Sequence, residues 1–203
     1  MVPTLYYGGT FDPLHFGHLK PTVDLAEKVK ANSLTFLPCH IPPHKTTTTT
    51  SSEHRLAMLQ LGISDYQKKT QVKLNVSDYE ITRGGNSYTR LTVEHFSHQS
   101  PDQQIGFVIG MDSLLSFTSW FKWQEILEFC HLYVMQRPGY HLNKSVLHPA
   151  LADLLGIKVH LVETAQVDVS SSQIRKQLKL GTEKARQYVP NDVMAYIKQH
   201  SLY

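Results

Sequence analysis

The strongest constraint on this chain is a regular alternation. Six short runs rich in apolar and β-branched residues (Thr4–Gly8, Leu34–Pro38, Val72–Val76, Ile105–Ile109, Leu132–Gln136 and Val159–Val162) are separated by stretches with helical spacing. Helices are expected over Gly17–Lys30, Ser52–Asp65, Ser87–His98, Trp123–Phe129, Ser145–Leu155, Ser171–Leu180 and Pro190–His200. In the first of these, Leu19, Val23, Ala26 and Val29 form one apolar stripe, while Lys20, Asp24, Glu27 and Lys28 lie elsewhere. Such alternation specifies an α/β fold: a Rossmann-like, doubly wound, mostly parallel sheet with helices on both faces. Ligands of such sheets bind beyond the carboxyl ends of the strands, where strand order reverses. The residues just after strands are therefore the ones to inspect.

A length of 203 residues suits one domain, read as a core over residues 1–165 and a small helical part over 166–203 that covers the sheet edge. Net charge is only +3, and no run of five like charges occurs. That balance suits a pocket for an anion and argues against nucleic acid as a partner. No apolar run approaches the roughly 20 residues of a membrane span. The amino end has no charged-then-apolar leader pattern. Cys39 and Cys130 match no metal or redox spacing and read as buried free thiols of a reducing compartment. The expectation is a cytoplasmic protein. A polar low-complexity stretch, Thr46–Ser52, reads as a loop that enters a helix capped by Ser51 or Ser52.

The densest chemistry follows the first strand, in Gly8-Gly9-Thr10-Phe11-Asp12-Pro13-Leu14-His15-Phe16-Gly17-His18. Paired glycines let the backbone turn and approach a ligand. The helix that opens at Gly17 offers unpaired N–H groups and the positive end of its dipole to an anion. His15 and His18 lie three apart, so their rings meet on one side of the first turn. In a chain with twelve histidines the pair alone means little; its place between a strand and a helix gives it weight. No third ligand at a familiar spacing supports a zinc site.

Two further segments suit phosphate. In Ser170-Ser171-Ser172-Gln173-Ile174-Arg175, hydroxyls open a helix and an arginine follows. Taken alone, this stretch reads more simply as a plain N-cap with an exposed arginine than as a phosphate fork. In Pro38-Cys39-His40-Ile41-Pro42-Pro43-His44-Lys45, two prolines stiffen the backbone before Lys45, which reads equally as a solvated lysine and as a phosphate contact.

These segments resemble the (T/H)-x-G-H nucleotidyltransferase superfamily, whose members transfer adenylyl or cytidylyl groups. The resemblance implies ATP as donor. It makes His18, supported by His15, Lys45 and Arg175, the catalytic set. The ATP site then comprises Gly8, Gly9, Thr10, Phe11, His15, His18, Gly110, Asp112, Ser170, Ser172, Ile174 and Arg175. Four more segments occur in order: Asn86-Ser87-Tyr88-Thr89, Ile109-Gly110-Met111-Asp112-Ser113, Thr118-Ser119-Trp120-Phe121 and Arg137-Pro138-Gly139-Tyr140. With the closing Tyr196-Ile197 and Leu202-Tyr203, they resemble the bacterial nicotinate-nucleotide adenylyltransferases along the whole chain. This implies nicotinate mononucleotide as acceptor, held by Lys45, Ser87, Tyr88, Thr89, Trp120, Phe121 and Arg137.

An indole suits a flat cationic pyridinium, although Trp120 could equally be a core aromatic. Asp112 would take hydrogen bonds from a ribose or cap a short Ser113–Phe117 helix, or both. Mg²⁺ is implied with ATP, carried mainly by phosphates and water. Cys39 and His40 stand where the family often has Asn, and Phe121 where Tyr is common. The rivals are another acceptor, nicotinamide mononucleotide or phosphopantetheine, and a non-catalytic nucleotide sensor. The sequence does not specify an oligomeric state, and a homodimer is compatible with it.

Overall fold

The structure is a computed structural model that describes residues 2–43, 48–140 and 142–203. Six strands, β1 (Pro3–Gly9), β2 (Ser33–Pro38), β3 (Lys73–Val76), β4 (Gln104–Gly110), β5 (His131–Gln136) and β6 (Val159–Glu163), form one sheet. All neighbours pair in parallel. Their order is β3-β2-β1-β4-β5-β6, so the winding reverses between β1 and β4. The predicted doubly wound sheet is thus observed, and each expected strand is present to within a residue or so.

Side chains alternate across this sheet, as a two-residue period requires. Tyr6, Phe107, Ile109, Leu132 and Val134 join one core. The helices α4 (Thr89–Gln99), α5 (Met111–Leu115), α6 (Trp123–Phe129) and α7 (Pro149–Ala152) contribute Val93, Leu114, Ile126 and Leu151 to it. Leu5, Val108 and Tyr133 face the other way, into a core completed by Leu19, Val23 and Ala26 of α1 (Phe16–Lys28) and Leu59 and Ile63 of α2 (Ser52–Gln67). The stripe read from the sequence is therefore the buried face of α1. Burying such side chains contributes about 1.5–3 kcal/mol each.

A third core joins α2 to α8 (Ser171–Lys179) and α9 (Asn191–Gln199): Met58 meets Ile174, Val189, Val193 and Ile197. The carboxyl-terminal helices thus dock on α2, one layer out from the sheet, rather than on the sheet edge. Gly62 lets α2 close on the loop after β1, because a Cβ there would stand 2.4 Å from Leu14 Cδ2.

Three local expectations change. The helix expected over Ser145–Leu155 is a 3₁₀ turn (Lys144–Val146) followed by the short α7. Proline pushes the residue before it toward extended backbone, so Pro149 divides the segment and begins a new helix. A five-residue helix, α3 (Tyr79–Arg83), is too short to show a period and was not expected. The segment Met111–Leu115 forms the helix placed at Ser113–Phe117, and its cap is Gly110 rather than Asp112.

Candidate functional site

Gly8 and Gly9 end β1 in extended backbone, so the tight turn expected of them is absent. They are needed for room: a Cβ would stand 3.1 Å from the Phe107 ring at Gly8 and 2.9 Å from the Phe11 ring at Gly9. The chain turns one step later, at Phe11, which adopts a left-handed φ of 50°. That conformation costs a non-glycine residue on the order of 1–2 kcal/mol. It drives the Phe11 ring into the core, 1% exposed, with its plane edge-on to His18 at 5.2 Å. Phe11 therefore supports the site from beneath, and its side chain does not line it.

His15 is the N-cap of α1, and the His15 and His18 rings stack with centroids 3.6 Å apart. Gly17 makes this stack possible, since a Cβ would stand 2.9 Å from the His15 ring. His15 is 3% exposed, and burial pushes its pKa down to about 4, so the ring is neutral at pH 7. Its Nδ1 is buried, with no hydrogen-bond partner among the described residues. The His15 backbone N–H donates to His18 Nδ1 at 3.4 Å. An N–H aimed at Nδ1 favours the tautomer whose proton sits on Nε2, which gives His18 a donor on its outer edge. No acidic side chain occupies the first turn of α1, so the positive end of its dipole is uncompensated.

The distant serine-arginine segment closes on this loop. Ser170 caps α8 in a reciprocal capping box with Gln173. Ser171 Oγ donates to the Pro13 carbonyl at 3.2 Å. Arg175 donates to the Asp12 carbonyl at 2.7 Å and to Ser172 Oγ at 3.1 Å. The helix start is again free of acidic residues. Two helix amino termini and an arginine thus gather around the loop Asp12–His18, although they are far apart in sequence. Ile174, predicted among the ATP-binding residues, is fully buried in the third core. It anchors α8 and presents nothing to a ligand.

At the switch between β1 and β4 lies a cavity of about 300 Å³. Its floor includes Gly8–Thr10 and Val108–Gly110, and its walls carry Ser87, Tyr88, Thr89, Trp120 and Phe121. Ser87, Tyr88, Thr89, Trp120 and Phe121 were each expected at an acceptor site, and the fold brings all five together. Tyr88 and Phe121 are in ring contact at 4.6 Å. Ser87 Oγ accepts the His40 N–H at 2.8 Å, which ties this wall to the segment after β2. Cys39 lines the same cavity and is only half-buried, contrary to the buried thiol expected; Cys130 is buried, with its pKa raised to about 12.

A second cavity, of about 450 Å³, shares Gly110 with the first and is lined by Gly17, Pro21, Met111, Asp112 and Arg137. Arg137 was expected beside the acceptor. The structure places it instead on the second cavity, which Asp112 and Gly17 of α1 also line. Lys45 lies outside the described residues.

Sequence reasoning missed two residues that hold these loops. Arg55 is 1% exposed and donates to the carbonyls of Thr10 (2.8 Å), His40 (3.1 Å) and Thr50 (3.3 Å). Asp12 is 4% exposed and accepts from Thr49 and Tyr203. An arginine within the predicted apolar helix Ser52–Asp65 was the one available signal, since buried charges occur only with partners.

Among the described residues no group of three His, Cys, Asp or Glu side chains is placed to hold a metal ion. None of the described helices is long and apolar enough to cross a membrane.

Residues 6–177 match the model of the Cytidylyltransferase-like family. A protein of Shewanella pealeana named "probable nicotinate-nucleotide adenylyltransferase" is 36% identical over 97% of this chain and 93% of its own length. One of the same name from Psychromonas ingrahamii is 36% identical over 98% and 95%. Among solved structures, Plasmodium falciparum nicotinic acid mononucleotide adenylyltransferase, complexed with NaAD, superposes with a TM-score of 0.81. That likeness covers 100% of this chain and 98% of the other at 19% identity, and so speaks to the fold. The chain belongs to the cytidylyltransferase-like family and, within it, to the nicotinate-nucleotide adenylyltransferases.

Proposed function

We infer that this protein transfers AMP from ATP to nicotinate mononucleotide, giving the nicotinate adenine dinucleotide and pyrophosphate for NAD biosynthesis. One observation carries the reading. A loop of helix termini and stacked imidazoles, suited to a polyphosphate, opens at the same strand switch as an aromatic cavity suited to a pyridine ring.

An oxygen of the acceptor's 5′-phosphate attacks the α-phosphorus of ATP. The bond from that phosphorus to the α–β bridging oxygen breaks, and the electron pair leaves with pyrophosphate. The attacking phosphate is ionised at neutral pH, so no general base is required. Catalysis then rests on placing the reactants in line and stabilising charge on the phosphoryl oxygens. His18 does the latter with its Nε2–H, a donor whose orientation is set by the His15 N–H and by the stacked His15 ring. Arg175, with Ser170 and Ser172 at the start of α8, binds the leaving phosphates. Asp112 and Arg137, which both line the second cavity, take the adenosine side.

Trp120 and Phe121 cover the pyridinium, and Thr89 offers its hydroxyl to the nicotinate carboxylate. The Trp120 N–H already donates to the Phe117 carbonyl at 3.0 Å, so the backbone donor is Phe121. A nicotinamide would bring two N–H donors toward the Thr89 hydroxyl and the Phe121 N–H proposed for the carboxylate, and the Phe121 N–H cannot accept them.

Mg²⁺ would supply charge neutralisation on the phosphates. The one carboxylate within the histidine loop, Asp12, already accepts three hydrogen bonds, so it does not fit as a metal ligand. The ion is proposed to enter with ATP, held by phosphate oxygens and water. The reading keeps the protein in the cytoplasm, where ATP is available.

The test is pyrophosphate release with Mg-ATP and, in turn, nicotinate mononucleotide, nicotinamide mononucleotide and phosphopantetheine. The first should be preferred strongly. Preference for either of the others overturns the acceptor, and no release with any of the three overturns the activity.

A further inference from the structure

Asp12 lies inside the histidine loop yet points away from ligands. Its Oδ1 accepts the Tyr203 hydroxyl at 2.6 Å. Its Oδ2 accepts both the Thr49 N–H at 2.9 Å and the Thr49 hydroxyl at 2.7 Å. Its backbone carbonyl takes the Arg175 guanidinium. Burial alone would raise the pKa of this carboxyl, but the hydrogen bonds from Thr49 and Tyr203 outweigh it and the net shift is downward. The side chain is therefore a buried anion with a full set of donors, the condition under which a buried charge is tolerated. Tyr203 is shifted the other way, upward, by burial and by donating to that anion.

The partners come from three remote stretches of chain: the segment before α2, the arginine of α8 and the residue at position 203. Arg55 repeats the pattern with opposite sign, joining the carbonyls of Thr10, His40 and Thr50. One carboxylate and one guanidinium, both within the protein, thus tie the loop after β1 to the segments after β2 and to the carboxyl-terminal helices. The phosphate-facing groups, the start of α1 and Arg175, hang on the same short loop.

We propose that Asp12 is a positioning residue for the ATP phosphates, and that Tyr203, through its hydrogen bond to Asp12, sets the geometry of the histidine loop. The proposal rests on the reading of ATP as donor. Asp12 touches neither substrate. It holds Pro13–His15 at the height at which His18 and Arg175 converge. Loss of one anchor lets Pro13–His15 and Arg175 shift together, so the effect falls on ATP more than on the acceptor cavity, which shares only its floor, Gly8–Thr10, with this loop and takes its side walls, Ser87–Thr89 and Trp120–Phe121, from others.

The test is steady-state kinetics of Tyr203→Phe, Thr49→Val and the double variant, with ATP and acceptor varied separately and thermal melting measured in parallel. Tyr203→Phe removes one hydroxyl and should lower kcat/KM for ATP about tenfold, the scale of a small misplacement of reacting groups. The acceptor KM should stay within about twofold. The double variant should lose less than the product of the single losses, because both act through one carboxylate. A loss shared equally between ATP and acceptor, or a lowered melting temperature with unchanged ATP kinetics, would overturn the proposal, since either marks a purely structural role. Direct titration of ATP binding to the wild type and to Tyr203→Phe separates this question from the assigned activity. If no acceptor supports turnover, a weaker ATP affinity in the variant still supports the positioning role, and an equal affinity removes it.

Discussion

The region proposed for the phosphates is built from backbone and buried polar groups. The starts of α1 and α8, the Asp12 and Pro13 carbonyls and the inner pair Asp12 and Arg55 form one cross-linked loop. Around the proposed acceptor cavity, the walls are partly exposed side chains: Tyr88 and Thr89 from one segment, Trp120 and Phe121 from another, with Ser87 bonded to the segment after β2. The contrast teaches a division of labour. The polyphosphate site is a property of the fold itself and resists change, whereas the acceptor site is a set of replaceable side chains placed on that fold. Substitutions on one side should then act on one substrate, and those on the other side on the other.

The largest effect is expected from His18→Ala. Removing the donor that faces the phosphoryl group should lower kcat by about 10²–10³. The affinity for nicotinate mononucleotide, measured by titration without ATP, should be unchanged. A near-normal kcat would remove His18 from the chemistry, and a matching loss of acceptor affinity would break the division between the two regions. Next in size is Trp120→Ala. Losing a stacked indole from a cation is a matter of about 1–2 kcal/mol. The acceptor KM should rise about tenfold, with the ATP KM held. Because Trp120 also packs on Phe117 at 5.2 Å, melting must be recorded too. An unchanged acceptor KM with a lowered melting temperature would return Trp120 to the core.

The same contrast explains what could be read from the sequence. The histidine loop is contiguous, and its geometry follows from local rules: a strand, a turn, a helix start and a three-residue spacing. The sheet follows from six apolar runs, each long enough to show its character. What stayed hidden depends on depth and on partners far along the chain. Ile174 sits in a phosphate-like motif but faces the third core, because a surface helix of nine residues must bury one side. Arg137 follows its strand as expected, yet the direction of the turn after β5 sends it to the second cavity. The bonds of Asp12 to Thr49 and Tyr203 span 37 and 191 positions, and no local pattern announces such a pair.

Stability should respond to acid through histidines held neutral by burial. His15 and His131 are both pushed down to about 4 from the ordinary 6.5, the latter chiefly by burial and then by Lys158 and His160. A group whose folded pKa is depressed in this way favours the folded state while it is neutral. The stabilisation is full above about pH 6.5 and is lost as the pH falls from there toward 4, because over that window the unfolded chain takes up protons that the folded histidines do not. Melting temperature should decline over that window. His131 Nδ1 lies 2.9 Å from His160 Nε2, far from both cavities. His131→Gln should therefore flatten part of the decline and leave kcat at pH 7.5 unchanged. A profile as steep as that of the wild type would assign the acid sensitivity to the His15 end.

The smallest effect tests the acceptor side most finely. Phe121 is 46% exposed, and its ring meets Tyr88 at 4.6 Å. Phe121→Tyr adds a hydroxyl to a ring that already has its stacking partner and its place on the cavity wall. If the contribution of residue 121 comes from ring area and its backbone N–H, the hydroxyl will move the nicotinate mononucleotide KM by less than about threefold, within the range of a solvent-exposed hydrogen bond. The nicotinamide mononucleotide KM should then move equally little. If the hydroxyl instead reaches the pyridine substituent, the two acceptors will separate: the carboxylate gains a donor, while the amide's N–H groups meet an acceptor. A change in the ratio of the two acceptor efficiencies, with ATP kinetics untouched, would show that discrimination depends on this single wall position. An unchanged ratio leaves it with Thr89 and the backbone at Phe121, where the fold and not the side chain decides.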